Sequence, residues 1–238
     1  MGDYAEPVDL APQMSRGTVT RMPTKHGDFV VVCYTETASQ LEHVALIRGP
    51  VADSGAQSTQ KTDGVAPLVR VHSECATGDL FGSRRCDCGE QLERAMSSIA
   101  AEPAGVLLYV RGHEGRGIGL GSKLKAYALQ DHGRDTIEAN TDQGLPIDAR
   151  SYAAAASILA DLGVDRIRLM TNNPQKCDAL IESGIQVVER IPLVTTPNAE
   201  NYKYLLTKQR KMGHLLNIPD DGDDAAAIAM FKPSAFSA

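Results

Sequence analysis

The sequence is poor in the features that mark membrane and nucleic-acid-binding proteins. No stretch approaches the roughly 20 consecutive apolar residues that a membrane helix requires. The amino terminus has no basic region followed by an apolar run, which argues against a secretory signal. The formal net charge of −6 argues against a general nucleic-acid-binding protein. Tryptophan is absent, yet hydrophobic residues make up 42% of the 238 residues, which is enough for a buried core.

Cysteine is also scarce, and its distribution is uneven. The chain has five cysteines, an odd number, and three of them fall within one short stretch. This arrangement argues against a disulfide framework and indicates a reducing compartment. We therefore expect a cytoplasmic protein with neither a membrane nor a nucleic-acid partner.

Both ends of the chain are polar and acidic. We expect a disordered N-terminal tail at residues 1–16 and an acidic C-terminal tail at residues 219–238. The region between them, residues 17–218, contains neither an internal repeat nor a low-complexity linker. It is therefore predicted to form a single catalytic domain.

The pattern of apolar residues changes along this domain. Short β-branched runs at residues 29–34, 43–47 and 68–72 predict strands, and from Glu90 onward helical periodicity alternates with further strands. Helices are predicted at residues 150–162 and 198–212, and another is expected to start at Pro174 behind a capping Thr171–Asn173 segment. The fold class indicated is α/β, a mixed sheet flanked by helices, with a β-rich N-terminal portion.

The clustered cysteines are Cys75, Cys86 and Cys88, within the stretch VRVHSECATGDLFGSRRCDCGEQL. A C-x10-C-x-C spacing can deliver three thiolates to one zinc ion and leave a fourth position open, which is typical of catalytic rather than structural zinc. The neighbouring arginines favour an anionic substrate, because guanidinium groups match phosphate geometry. A structural four-ligand site and buried cysteines without a metal are the alternatives.

A second stretch, RGHEGRGIGLG, follows the predicted strand at residues 105–110 and precedes a helix. Glycines at such a turn let backbone N–H groups approach an anion near a helix N-terminus. The sequence matches neither G-x-G-x-x-G nor the Walker A pattern, so it is a weak indication of phosphate binding.

Together, several runs resemble GTP cyclohydrolase II: VRVHSECATGD, SRRCDCGEQL, RGHEGRGIGL, LKAYALQDHGRDTIEAN, GLPIDAR, RLMTNNPQK and TKQRKMGHLL. The resemblance spans residues 19–217, without a preceding dihydroxybutanone-phosphate synthase domain, and so implies the stand-alone enzyme. It implies a homodimer that converts GTP into formate, pyrophosphate and 2,5-diamino-6-ribosylamino-4(3H)-pyrimidinone 5′-phosphate, the first step of riboflavin biosynthesis. One Zn²⁺ per subunit is expected to serve the ring opening, and Mg²⁺ the triphosphate.

The resemblance also implies roles for individual residues. Cys75, Cys86 and Cys88 fall on the metal ligands. Asp148 matches the proton acceptor, Arg150 the nucleophile, and Tyr127 an aromatic position tied to the complete reaction. The matching GTP-binding positions are Arg70, Val71, His72, Ser73, Glu74, Gln91, Glu114, Gly115, Arg116, Thr136, Thr171 and Lys176.

The role of Arg150 and the identity of the proton-transferring residues stay open on chemical grounds. A guanidinium is protonated up to about pH 12 and then lacks a free lone pair. Arg150 is therefore also considered as an electrostatic clamp, or as a local ion pair with Asp148. Glu74 and Tyr127 are further candidates for moving protons, and a packed helix residue with its hydroxyl in water is the alternative interpretation of Tyr127.

Other functions compatible with the same residues are a paralogue that stops at the formylamino pyrimidine and a zinc-stabilised GTP-binding module without catalysis. The His72-Ser73-Glu74 run also resembles the H-x-E of zinc deaminases. That signature continues with P-C-x-x-C, and this chain has Cys86-Asp87-Cys88 instead, so a deaminase is a minor alternative.

Overall fold

A computed structural model describes residues 11–51, 64–219, 228 and 231. The strands are β1 (Met14–Thr24), β2 (Gly27–Glu36), β3 (Glu42–Arg48), β4 (Leu68–Ser73), β5 (Gly105–Val110), β6 (Arg166–Met170) and β7 (Gln186–Ile191). The helices are α1 (Ala76–Asp79), α2 (Cys88–Ala101), α3 (Leu120–Asp131), α4 (Thr136–Thr141), α5 (Ala153–Asp161), α6 (Pro174–Glu182) and α7 (Tyr202–Met212), and a 3-10 turn spans Glu114–Arg116.

The strands form one mixed sheet in the order β1-β2-β3-β5-β4-β6-β7. The first three strands and β5 are antiparallel neighbours, whereas β5, β4, β6 and β7 run parallel. This confirms the predicted α/β class, the mixed sheet and the β-rich N-terminal portion. Because β4, β5 and β6 are parallel, their carboxyl ends lie at one edge of the sheet, the usual place for a ligand site in such folds.

Apolar residues cover both faces of the sheet. Strands β4 and β5 are central and nearly completely buried. One face packs against α5 and α6, through residues that include Val71, Leu108, Ile158, Leu159 and Leu180. The other face packs against α2, through residues that include Phe29, Leu68, Leu107, Ala95 and Ile99. This double burial explains why β5 is a continuous apolar run. In β4, Arg70 and His72 alternate with Val69 and Val71, and both polar side chains line the cavity described below.

Three element boundaries differ from the sequence-based prediction. Strand β1 begins at Met14, inside the predicted tail, because it pairs with β2 as a largely exposed edge strand and so lacks an apolar pattern. Helix α5 begins at Ala153 instead of residue 150, since the backbone N–H of Arg150 donates to the Asp148 carboxylate. Helix α7 begins at Tyr202, after a turn closed by hydrogen bonds between Asn198 and Asn201.

The helix before β7 begins as predicted. Pro174 occupies its first turn and the Asn173 side chain accepts from the backbone N–H of Gln175. Most of the predicted tails, at residues 1–10, 220–227, 229–230 and 232–238, lies outside the described residues. Within the described part of the chain, no helix is long and apolar enough to cross a lipid bilayer.

Candidate active site

The loops that follow β4, β5 and β6 meet at one edge of the sheet and surround an open cavity, whose empty space is about 1100 Å³ with solvent at the mouth included. The loop after β4 carries the cysteine cluster, the loop after β5 is the glycine-rich turn, and the loop after β6 carries Thr171, Asn172 and Asn173. Helices α3 and α7 complete the walls, with Lys123, Tyr127, Tyr204 and Lys208 among the lining residues.

The three clustered cysteines converge at one end of this cavity. Their sulfur atoms all lie within 4.8 Å of one another, and the Sγ atoms of Cys75 and Cys86 are 3.7 Å apart. A disulfide would need about 2.05 Å. Zinc–sulfur bonds of about 2.3 Å in a tetrahedron place two sulfurs about 3.8 Å apart. The three thiols could therefore hold a metal ion such as zinc.

Two glycines allow the cysteines to approach this closely. A Cβ atom on Gly78 would lie 2.8 Å from the Cys86 sulfur and 3.2 Å from the Cys75 sulfur. A Cβ atom on Gly89 would lie 2.5 Å from the carbonyl oxygen of Gly78. Any side chain at either position would push α1 away from the start of α2, and would separate the thiols.

A buried carboxylate holds the first cysteine in place. Asp79 accepts hydrogen bonds from the backbone N–H of Cys75 (3.0 Å), from His72 Nε2 (3.1 Å) and from the Tyr109 hydroxyl (2.9 Å). Burial lowers the pKa of His72, so the ring is neutral and its Nε2 proton faces Asp79. Its Nδ1 atom has no hydrogen-bond partner among the described residues, and His72 also lines the cavity.

Lys123, from the first turn of α3, lies against the cysteine cluster. Its Nζ atom is 3.0 Å from the Cys75 sulfur and 2.6 Å from Glu114 Oε1. The other carboxylate oxygen of Glu114 accepts from the backbone N–H of Ala76 at 2.6 Å. Glu114 therefore faces Lys123 and the cysteine loop, and is absent from the cavity lining. Hydrogen bonds with the Cys86 and Cys88 thiols, and then Lys123, lower the pKa of Cys75.

Arg150 is held on two sides. Its Nε and Nη2 atoms both donate to Asp148, with 2.9 Å for Nε, and its Nη1 atom donates to Ser73 Oγ at 3.3 Å. Because an arginine can only donate, Ser73 in turn donates to His113 Nδ1 (3.1 Å), and His113 Nε2 donates to the carbonyl oxygen of Ser151 (2.9 Å). Burial and the Arg150 charge lower the pKa of His113 to about 3, so the ring is neutral at pH 7. The direction of each hydrogen bond from Arg150 to Ser151 is therefore fixed.

The charge states of the Asp148–Arg150 pair are equally fixed. Burial opposes ionisation of Asp148, but the Arg150 hydrogen bonds outweigh it and the pKa of Asp148 is lowered. Burial would also lower the pKa of Arg150, yet the Asp148 carboxylate reverses this and raises it. The pair is therefore ionised, which leaves Asp148 a weak base and Arg150 a permanent cation.

The rest of the cavity has an excess of buried positive charge. Lys176 donates to the carbonyl oxygen of Val71 at 2.7 Å and, within the described residues, has no carboxylate partner. Burial, together with the neighbouring Arg70 charge, lowers the pKa of Lys176. A buried amine beside two guanidinium groups is a costly arrangement unless an anion occupies the same cavity.

The glycine-rich turn presents one more cation. Arg116 has a φ of 65°, a left-handed conformation that is unusual outside glycine, and it lies between Gly115 and Gly117, which share that region. Neither terminal nitrogen of Arg116 has a hydrogen-bond partner among the described residues, although the side chain is buried. Two buried terminal nitrogens, with four N–H donors between them and no acceptor, favour an anionic ligand there.

Helix α7 and the segment after it form the wall opposite the sheet. Lys208 Nζ is 2.9 Å from Asp87 Oδ1, Asp87 also accepts from the Gln91 side-chain amide, and Gln91 Oε1 accepts from Arg70 Nη2 at 2.7 Å. The ring of Tyr204 lies 4.3 Å from Lys208 Nζ. A buried network of charged and polar side chains thus connects α7 to Asp87, between Cys86 and Cys88.

Most residues predicted from the sequence line the cavity: Arg70, His72, Ser73, Glu74, Cys75, Cys86, Cys88, Gln91, Gly115, Arg116, Tyr127, Thr136, Arg150, Thr171 and Lys176. Val71, Glu114 and Asp148 do not line the cavity; each accepts a hydrogen bond from a cation that does. The sequence reasoning missed several lining residues: His113, Lys123, Asn172, Asn173, Tyr204, Lys208, His214 and Leu216. Six of these residues belong to sequence runs that carry the family resemblance: His113, Asn172, Asn173, Lys208, His214 and Leu216. Lys123 and Tyr204 lie just outside such runs.

Comparison with known proteins relates the chain to one enzyme family. The family model described as GTP cyclohydrolase II matches residues 15–192. The riboflavin biosynthesis protein RibBA of Mycolicibacterium paratuberculosis is 55% identical over 201 residues, which are 84% of this chain and 46% of that protein. RibBA of Mycobacterium marinum is 54% identical over 208 residues, 87% of this chain and 48% of that protein. The chain thus spans about half the length of these relatives.

A solved structure shows a weaker likeness. The crystal structure of RibBX, a two-domain 3,4-dihydroxy-2-butanone 4-phosphate synthase from A. baumannii, is 20% identical, with a TM-score of 0.42 over 75% of this chain and 40% of that one. At this score the likeness supports no conclusion about fold or function.

Proposed function

The chain belongs to the GTP cyclohydrolase II family, and from that premise we propose that it opens the imidazole ring of GTP. The products are formate, pyrophosphate and 2,5-diamino-6-ribosylamino-4(3H)-pyrimidinone 5′-phosphate, at the first step of riboflavin biosynthesis. One observation carries the proposal: three converging thiols and a set of buried cations face the same cavity. A metal end for the base and a cationic end for the triphosphate match the two parts of GTP.

At the metal end we propose that Cys75, Cys86 and Cys88 hold one zinc ion. A bound zinc ion would supply a polarised water for attack on C8 of the base. Tyr127 lines the cavity near the thiols, and its hydroxyl lies 3.4 Å from Thr77 Oγ1. Burial raises the pKa of Tyr127. Tyr127 therefore keeps its proton at neutral pH and can donate it to a nitrogen released by ring opening.

Proton acceptance at this end is assigned to Glu74 instead of Asp148. Glu74 lines the cavity and is held by the backbone N–H of Gly112, which donates to its Oε2 at 2.8 Å. Asp148 has a lowered pKa and both oxygens bonded to Arg150, so it is a poor base. We assign Asp148 the role of orienting Arg150.

At the phosphate end we propose that Arg116, Arg150 and Lys176 neutralise the triphosphate and stabilise the departing pyrophosphate. Mg²⁺ is expected to arrive with the nucleotide. Arg150 acts as an electrostatic clamp: its raised pKa keeps the guanidinium protonated, and three of its nitrogens already donate to Asp148 and Ser73. A nucleophilic role would require a free lone pair, which this environment disfavours.

Three further parts complete the proposal. A homodimer rests on the family resemblance alone, and a cytoplasmic location rests on the cysteine content. The catalytic domain covers residues 17–218, to which the structure adds the start of β1 at Met14.

The test is a product assay in which purified protein, GTP and Mg²⁺ are incubated and formate and pyrophosphate are counted separately. Equal amounts of both, with the diaminopyrimidine, support the proposal. Pyrophosphate without formate would indicate an enzyme that stops at the formylamino pyrimidine, and bound GTP without turnover would indicate a binding module. Cys86→Ser should abolish metal binding and formate release, whereas Cys33→Ser, in strand β2, should keep both.

Arg150→Lys separates the two roles of that residue. Lysine keeps the charge but loses the planar fork, so an electrostatic clamp should retain about a tenth or more of the rate of pyrophosphate release. A covalent role predicts complete loss, together with a guanylylated protein in the wild type that mass spectrometry would detect.

A further inference from the structure

Lys123 is a buried lysine in direct contact with the sulfur of Cys75, one of the three proposed metal ligands. It is 9% exposed, its Nζ atom lies 3.0 Å from the Cys75 sulfur, and its helix neighbour Lys125 is exposed to solvent. Lysines are seldom buried unless they are paired. The sequence pattern of α3 gives both lysines the same appearance, so the contact arises from the fold.

The position of this ammonium group is fixed from a second side. Glu114 Oε1 accepts from Lys123 at 2.6 Å, and Glu114 Oε2 accepts from the backbone N–H of Ala76 at 2.6 Å. Ala76 directly follows Cys75. The Glu114 carboxylate therefore contacts both the Lys123 amine and the residue next to Cys75. This pair of contacts holds an N–H donor of Lys123 against the Cys75 sulfur.

The charge of the metal site explains what such a donor would do. Three thiolates around a divalent cation leave one unit of excess negative charge, which an adjacent ammonium group balances. An N–H···S bond also withdraws electron density from the sulfur, because charge-assisted hydrogen bonds polarise their acceptor. The sulfur then donates less to the metal, which stays a stronger Lewis acid.

We propose that Lys123 is a positioning residue of the metal site, which balances the charge of the three thiolates and weakens electron donation from Cys75. The inference rests on the proposed function only in that it requires a metal at the cysteines. Glu114, which the sequence suggested as a substrate contact, acts in this arrangement through Lys123.

The test uses protein in which cobalt(II) replaces zinc, because thiolate-to-cobalt charge transfer gives an absorption band that reports sulfur donation. Lys123→Met removes the donor and the charge at similar volume, and should shift the band to longer wavelength. Lys125→Met is the matched control and should leave the band unchanged. Lys123→Arg, which keeps a charged donor, should restore the band towards its wild-type position.

Metal affinity and turnover distinguish this role from a merely structural one. Chelator competition should show zinc bound to Lys123→Met at least as tightly as to wild type, since a nearby positive charge has been removed. Formate release should fall by about 10- to 100-fold. An unshifted cobalt band, or a loss of zinc affinity without a band shift, would overturn the proposal.

A measurement on the wild-type chain covers the case in which Lys123→Met does not fold. With a spin-active cadmium isotope at the cysteines, the Lys123 ammonium protons should show a coupling to the metal, and those of Lys125 should not. No coupling at Lys123 would refute the contact. Both spectroscopic tests stay valid if GTP is not the substrate. Formate release by the wild type together with an unshifted cobalt band in Lys123→Met would support the proposed function and refute the role of Lys123.

Discussion

The buried ion pair between Lys208 and Asp87 joins helix α7 to the loop that presents two of the three cysteines. The Nζ–Oδ1 distance is 2.9 Å, and the side chains of Lys208 and Asp87 are 11% and 1% exposed. Replacing Lys208 by methionine leaves a buried carboxylate without its counter-charge, and breaking a buried pair in this way costs about 3–5 kcal/mol. The Gln91 amide still donates to Asp87, so we expect a loss of about 3 kcal/mol in unfolding free energy.

Urea unfolding of the zinc-loaded protein at pH 7 measures this loss. Lys211→Met is the matched control, because Lys211 lies on the same helix and pairs with Asp135 in the open, where solvent screens the charges. The double variant Asp87→Asn with Lys208→Met should be more stable than Lys208→Met alone, since it no longer buries an unpaired charge. A loss for Lys208→Met no larger than that of Lys211→Met would refute the reasoning.

The same pair gives a pH dependence of known sign. Burial raises the pKa of Asp87, but the Lys208 ammonium outweighs this, so the pKa is lowered on folding. A lowered carboxyl pKa contributes stability above the unfolded value of about 3.9 and loses it as the pH falls through the folded value. Without Lys208, burial leaves the pKa of Asp87 above about 3.9 in the variant, and the unfolded value is common to both proteins. The stability difference between wild type and Lys208→Met should therefore be larger at pH 7 than at pH 4, and should shrink further below pH 4.

Three further outcomes test the site. Gly78→Ala should lower the zinc content per chain, because its Cβ would lie 2.8 Å from the Cys86 sulfur, whereas Gly121→Ala, with nothing within 4 Å, should keep wild-type zinc content; elemental analysis decides. Burial and a neighbouring cation lower the pKa of His113 to about 3, so its imidazole NMR signals should not titrate between pH 5 and 8, and a midpoint in that range would contradict the structure. Tyr127→Phe should lower formate release by about 100-fold with zinc content unchanged, and a wild-type rate would exclude Tyr127 as the proton donor.

The sequence predicted those features whose cause is local. The spacing of Cys75, Cys86 and Cys88 is short enough for one loop to bring the three thiols together, and the structure shows them within 4.8 Å. Strand β5 was predicted because a central strand that is buried on both faces forms a continuous apolar run. Edge strand β1 was not predicted, and its first residues were assigned to the N-terminal tail, because an exposed edge strand can be polar.

The cations that surround the thiols could not be predicted in this way. Lys123 is 48 residues from the Cys75 sulfur it contacts, and Lys208 is 121 residues from Asp87. In sequence each resembles a solvated helix lysine, since helix periodicity does not distinguish a polar residue facing solvent from one facing a charged cavity. Their burial becomes favourable only after the loop has concentrated negative charge at the cysteines. A C-x10-C-x-C spacing alone therefore indicates where a metal can bind, while the reactivity of that metal depends on residues that only the tertiary structure brings to it.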